Sequence, residues 1–186
     1  WNGYQYWQRS QAAKASVMFD LVERAVVEKD NEKLSRALAD MQKSYAKSTY
    51  TQQAGLIAAK AFQEGGKADA STAALTWVAD NASDAGYKAV ARLRLVGLLV
   101  EAKAYDEALK QLDSSFPKEF AALAADRKGD VLLLQGKRDE ARASFTTAFA
   151  ALDETSEYRR LVEVKLNSLG VNPRATIAEA GSGGKS

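Results

Sequence analysis

The stretch GDVLLLQGKRDEARASFTTA, residues 129–148, decides how the chain folds. Small residues stand at Gly129, Ala141 and Ala148, a glycine at Gly136 and an aromatic ring at Phe145. Apolar positions on both sides of Gly136 recur at helical spacing, so the stretch reads as two helices joined by a tight turn. Gly136 supplies the turn, because glycine tolerates backbone conformations that a side chain disfavours. Gly129 and Ala141 are small where the two helices cross closely, and Phe145 fills the gap toward a neighbouring helix. Asp139 and Glu140 open the second helix, where negative charge suits the helix N-terminus.

The same pattern recurs 33 residues earlier, where 103–108 (KAYDEA) aligns with 136–141 (GKRDEA). A third copy lies over Ala54, Ile57, Ala58, Ala61, Gly65, Ala70, Ala74 and Trp77, with 38 residues to the next. This is tetratricopeptide-type spacing. An isolated hairpin of this kind cannot bury its own apolar face, so repeats must stack. The spacing predicts an all-α fold, a right-handed superhelical array of tetratricopeptide-like helical hairpins ending in a C-terminal capping helix. An irregular helical bundle is the alternative.

Helical periodicity covers nearly the whole chain. Helices are expected at 10–28, 32–46, 50–64, 68–81, 87–102, 106–115, 120–135, 138–152 and 157–169. The first carries the stripe Ala13, Val17, Leu21 and Ala25, the second Leu34, Leu38, Met41 and Tyr45, and the last Tyr158, Val162, Leu166 and Leu169. The first pair and the last helix are expected to cap the stack. The organisation is then a stub over 1–9, a repeat domain over 10–170 and a flexible tail over 171–186, whose last residues have the composition of a disordered end.

Composition excludes much chemistry. The 186 residues include no histidine and no cysteine. The commonest general base, the commonest metal ligand and every thiolate are therefore missing, and no catalytic residue, metal site or cofactor is assigned. Twenty-six basic against 24 acidic residues, interspersed, give no field toward nucleic acid, and nothing marks a small-molecule substrate. Gly184-Lys185-Ser186 imitates the end of a phosphate loop, but Glu179 stands where that loop needs glycine and no helix can follow. No apolar run approaches the ~20 residues that span a bilayer. The expected activity is protein binding without catalysis.

A stacked array presents a groove lined by the first helix of each hairpin, and such grooves take extended or helical peptides. The repeat register places Gln52, Phe62, Val90, Leu93, Asp126 and Asp130 there, with core packing an equal reading for Val90 and Leu93. Arg94 and Asp126, on adjacent first helices, are expected to pair. Trp1, Tyr4, Tyr6 and Trp7 crowd into seven residues. Such rings concentrate where a membrane meets water, and packing on the first helix is the alternative.

Five modest motifs, in order, carry a resemblance: 1–7 (WNGYQYW), 89–95 (AVARLRL), 105–109 (YDEAL) with Leu112-Asp113, 125–130 (ADRKGD) with Gly136, and 164–169 (VKLNSL). Together they resemble the YfgM family, ancillary subunits of the bacterial SecYEG translocon. The resemblance covers the chain up to Gly170. It implies a single-pass inner-membrane protein whose anchor, absent from this chain, precedes Trp1, with the repeat domain facing the periplasm. It implies the SecYEG translocon, a PpiD-type chaperone and secreted clients as partners, with 1–7 as the membrane-proximal stub. A soluble repeat adaptor in outer-membrane or cell-wall assembly is the alternative.

Overall fold

The computed structural model describes residues 2–175. Trp1 and residues 176–186, with the Gly184-Lys185-Ser186 motif, lie outside the described residues. Within them the chain is helical: α1 Asn2–Val27, α2 Asn31–Ser44, α3 Thr49–Glu64, α4 Ala68–Asn81, α5 Ala85–Glu101, α6 Tyr105–Leu112, α7 Lys118–Leu134, α8 Arg138–Ala151 and α9 Glu157–Ser168. Two compact units form, dividing within α5 between Leu98 and Leu99. The chain is an all-α array of tetratricopeptide-like hairpins.

Five residues with positive φ mark the repeat. Lys29 (φ 54°), Gly66 (72°), Lys103 (58°), Gly136 (76°) and Gly170 (82°) follow α1, α3, α5, α7 and α9. Each closes its helix with the same backbone bond. In the first unit Asp30 N–H donates to Ala25 C=O at 3.0 Å and Lys67 N–H to Phe62 C=O at 2.7 Å. In the second, Ala104 N–H reaches Leu99 C=O at 2.8 Å, Lys137 N–H reaches Leu132 C=O at 2.9 Å and Val171 N–H reaches Leu166 C=O at 3.0 Å. This six-to-one bond over a left-handed residue is the Schellman closure, which satisfies carbonyls that a helix end leaves bare. The first hairpin, α1–α2, thus carries the repeat turn itself. The third copy is corrected by one residue, because Gly66 and not Gly65 holds the left-handed position that matches Gly136.

In the first unit α1 pairs with α2 and both pack on α3, which pairs with α4. The core face of α1 is Ala15, Val22 and Ala25. Of the expected stripe only Ala25 is buried; Val17 is 64% and Leu21 49% exposed. A strict period of four turns ~40° per step against a helix of 3.6 residues, so such a series walks off its own face. The α2 stripe holds, with Leu34, Leu38 and Met41 buried, while Tyr45 forms the C-cap. α1 begins at Asn2 and not at Ser10, so residues 2–9 are helix continuous with α1.

In the second unit α7 packs between α6 and α8, and α9 packs on α8. Leu132, Ala141, Phe145, Ala148, Phe149, Val162, Leu166 and Leu169 form one buried cluster. Phe145 is fully buried against Gly129, as the spacing requires. Helix α6 ends at Leu112, short of Ser115, and α7 starts just after Pro117, its N-cap (φ −56°, ψ 152°).

Candidate functional site

The first helices of three hairpins make a shallow groove in the first unit. Val26 of α1, Leu56, Ile57, Lys60, Ala61 and Glu64 of α3, and Arg94 of α5 line a cavity of about 350 Å³. Its floor is aliphatic and its rim carries both charges. The Arg94 guanidinium donates to the Leu56 carbonyl at 3.4 Å, which holds α5 to α3 and keeps the cation on the groove wall. An apolar floor with a few placed polar groups is the usual make-up of a recognition groove.

None of the six residues that the repeat register assigns to a groove lines this cavity. Gln52 and Phe62 are buried, at 0% and 3% exposure, and offer no surface to a partner as folded. Gln52 instead pins the α4–α5 connection: its amide donates to Ser83 Oγ at 2.9 Å and its carbonyl accepts from Asp84 N–H at 3.3 Å. Val90 and Leu93 are half-buried on α5. Polarity misleads on α3: Gln52 is polar yet buried, whereas Leu56 and Ile57 are apolar yet line the groove, so no local pattern separates the two sets.

Asp126 and Asp130, one turn apart on α7, come together in the second unit on one cation. Lys165 Nζ of α9 stands 2.8 Å from Asp126 Oδ1 and 2.8 Å from Asp130 Oδ1. Tyr158 OH, also on α9, donates to Asp126 Oδ2 at 2.5 Å. Both oxygens of Asp126, a residue 1% exposed, are therefore occupied within this unit. Of the two residues expected to pair, Arg94 bonds to Leu56 in the first unit, and Asp126 bonds to Lys165 and Tyr158 in the second. Lys165 also lies 5.1 Å from the Phe145 ring centroid, so the ammonium meets a π face as well as two carboxylates. Burial pushes the Tyr158 phenol well above its ordinary range, reinforced by its bond to Asp126 and that residue's charge. The arrangement docks α9 and holds no open ligand position, so we read it as structural.

The N-terminal aromatics are bare. Tyr4 is 65%, Tyr6 78% and Trp7 56% exposed, and Tyr4 and Trp7 stack on each other with ring centroids 6.2 Å apart. Among the described residues no cluster of acidic side chains is arranged to hold a metal ion.

Comparison with known proteins agrees with this architecture. Residues 1–171 match the family described as a tetratricopeptide repeat-like domain. A protein of Neisseria gonorrhoeae named ancillary SecYEG translocon subunit is 33% identical over 171 residues, 90% of this chain and 82% of that protein. The Escherichia coli protein of the same name is 30% identical over 172 residues, 91% of this chain and 82% of its own length. With repeat turns in register and relatives matched along nearly all its length, the chain belongs to the YfgM family, that of the ancillary SecYEG translocon subunits.

Proposed function

We propose that this chain is a non-enzymatic protein-binding scaffold that works beside the Sec translocon. The observation that carries the reading is the groove walled by α1, α3 and α5, aliphatic at its floor and charged at Lys60, Glu64 and Arg94. Such a surface suits a segment of polypeptide with alternating apolar and charged side chains. The relatives' name supports the translocon as the setting.

In this reading the repeat units stand on the periplasmic face of the inner membrane, held by a single-pass anchor that precedes Trp1. No helix among the described residues is long and apolar enough to cross a membrane. Exported chains and a PpiD-type chaperone are the partners; the resemblance to the YfgM family supports both. The chemistry available agrees with a scaffold, since the chain contains no histidine or cysteine.

A photoreactive residue at Ile57 or Lys60, on the groove floor and rim, tests the reading in cells. Adducts with translocon subunits, a membrane-anchored chaperone or exported chains are expected. Adducts confined to outer-membrane or cell-wall assembly proteins would move the chain to an adaptor role there. Adducts from exposed Lys110 but none from the groove would remove the groove from the account.

A further inference from the structure

Helix α1 spans 26 residues and α2, its partner, 14. At 1.5 Å per residue these are ~39 Å and ~21 Å long, so the first turns of α1 overhang the end of α2. Every residue from Asn2 to Arg9 is exposed, and the first buried residue of α1 is Ala15. Under the overhang lies an open cavity of about 760 Å³. Tyr4, Trp7 and Gln8 line one side, and Lys43 in the last turn of α2, with Tyr45 and Lys47 of the α2–α3 connection, line the other.

The charge lining this cavity is one-sided. No aspartate or glutamate occurs over 2–19, which carries Arg9 and Lys14, nor over 41–59, which carries Lys43 and Lys47. Arg9, Lys14, Lys43 and Lys47 are exposed. Among the described residues they enter none of the ion pairs. Asp84, in the α4–α5 connection that Gln52 ties to α3, accepts the Tyr87 N–H at 2.9 Å and so caps α5. Thus one end of the first unit sets amphipathic rings beside cations, with no carboxylate lining the cavity between them.

We propose that this end docks on the headgroups of an anionic phospholipid bilayer. The rings of Tyr4, Tyr6 and Trp7 enter the interfacial layer, where an apolar body and a hydrogen-bonding edge are both satisfied. Lys43 at the end of α2 and Lys47 just beyond it meet lipid phosphates, with Arg9 and Lys14 adding to the field. The inference rests on the membrane-facing reading above and extends it. The lipid surface becomes a partner of the folded repeat unit itself, through a connection 40 residues from the N-terminal aromatics.

The test uses the purified chain with vesicles of phosphatidylcholine alone and vesicles of equal parts phosphatidylcholine and phosphatidylglycerol. Co-sedimentation with the anionic vesicles only, weakened by added salt, is expected. Joint replacement Lys43→Glu and Lys47→Glu should weaken it by roughly thirtyfold or more, from the usual worth of a lysine near an anionic surface. Tyr4→Ser with Trp7→Ser should also weaken it. All four side chains are exposed, so unchanged thermal melts establish that the variants fold. No sedimentation, or equal sedimentation with both vesicles, overturns the proposal. Copurification of the native chain with SecYEG is measured in parallel. Translocon binding without vesicle binding sinks the lipid inference alone, and vesicle binding without translocon binding sinks the functional reading alone. Loss of translocon binding by the Lys43→Glu, Lys47→Glu chain, when the native chain ignores vesicles, makes the surface a protein dock and also overturns it.

Discussion

The ring of Phe145 occupies the space where a side chain at Gly129 would begin: a Cβ placed on Gly129 comes within 2.5 Å of Phe145 Cε1. Phe145 is fully buried among Leu132, Ala148 and Val162, so the ring has little room to retreat. Gly129→Ala is therefore expected to destabilise the chain by roughly 1–3 kcal/mol, although alanine is the better helix former. Phe145→Ala should cost about 3–5 kcal/mol. In a double-mutant cycle by urea unfolding, the pair should cost clearly less than the sum, since the smaller residue at 145 makes room for the methyl. Strict additivity would mean that the clash is relieved elsewhere.

Asp126 is the buried carboxylate on which α9 is docked. Replacing Lys165 with Met leaves that charge in the core with one hydroxyl for a partner, and should cost about 3 kcal/mol. Asp126→Asn keeps the shape and removes the charge to be paired, so it should cost less, about 1–2 kcal/mol. The order of the two is the informative result. Equal losses in equilibrium unfolding would show that the carboxylate is solvated.

The Tyr158 phenol titrates above its ordinary value of 10.0 because folding buries it and its hydroxyl donates a hydrogen bond to Asp126. A group whose folded value is raised contributes its stability fully below the unfolded value and loses it as pH rises beyond. Urea stability should thus fall between about pH 9 and about pH 11 more steeply in the native chain than in Tyr158→Phe, which lacks the proton. Identical slopes would refute the coupling.

Two of the repeat turns place a lysine where three place glycine. Lys29 and Lys103 hold φ of 54° and 58°, a region that costs an L side chain ~1 kcal/mol or more. Lys103→Gly is therefore expected to be neutral or to raise stability by up to ~1 kcal/mol, against the usual penalty for adding glycine. Gly136→Ala should do the reverse. A loss of stability in Lys103→Gly would show that its side chain, not its backbone, holds the turn.

The fold was legible because local rules sufficed: Gly129, Gly136, Ala141 and Phe145 each report a steric demand that the structure makes at that position. The positions around 103 aligned correctly with no glycine present, because Asp106 and Glu107 preserve the helix start. Facing was harder to read. In α1 the alternation of small and apolar residues permits several stripes, and only packing selects Ala15, Val22 and Ala25 over Val17 and Leu21. The groove was hard to read for a like reason, since on α3 the polar Gln52 is buried while the apolar Leu56 and Ile57 line the groove. The Asp126–Lys165–Tyr158 cluster joins residues over 30 positions apart, and no local pattern announces such a bond.

The bare end of α1 has a mechanical consequence. From Trp7 to Ala15, the first fully buried residue of α1, runs ~12 Å of helix, most of it exposed. An unbroken helix transmits angle as well as position. Whatever holds the aromatic end therefore sets the direction in which the first unit points, as a handle sets a blade, and the groove walled by α1, α3 and α5 is aimed by the same helix that forms one of its sides.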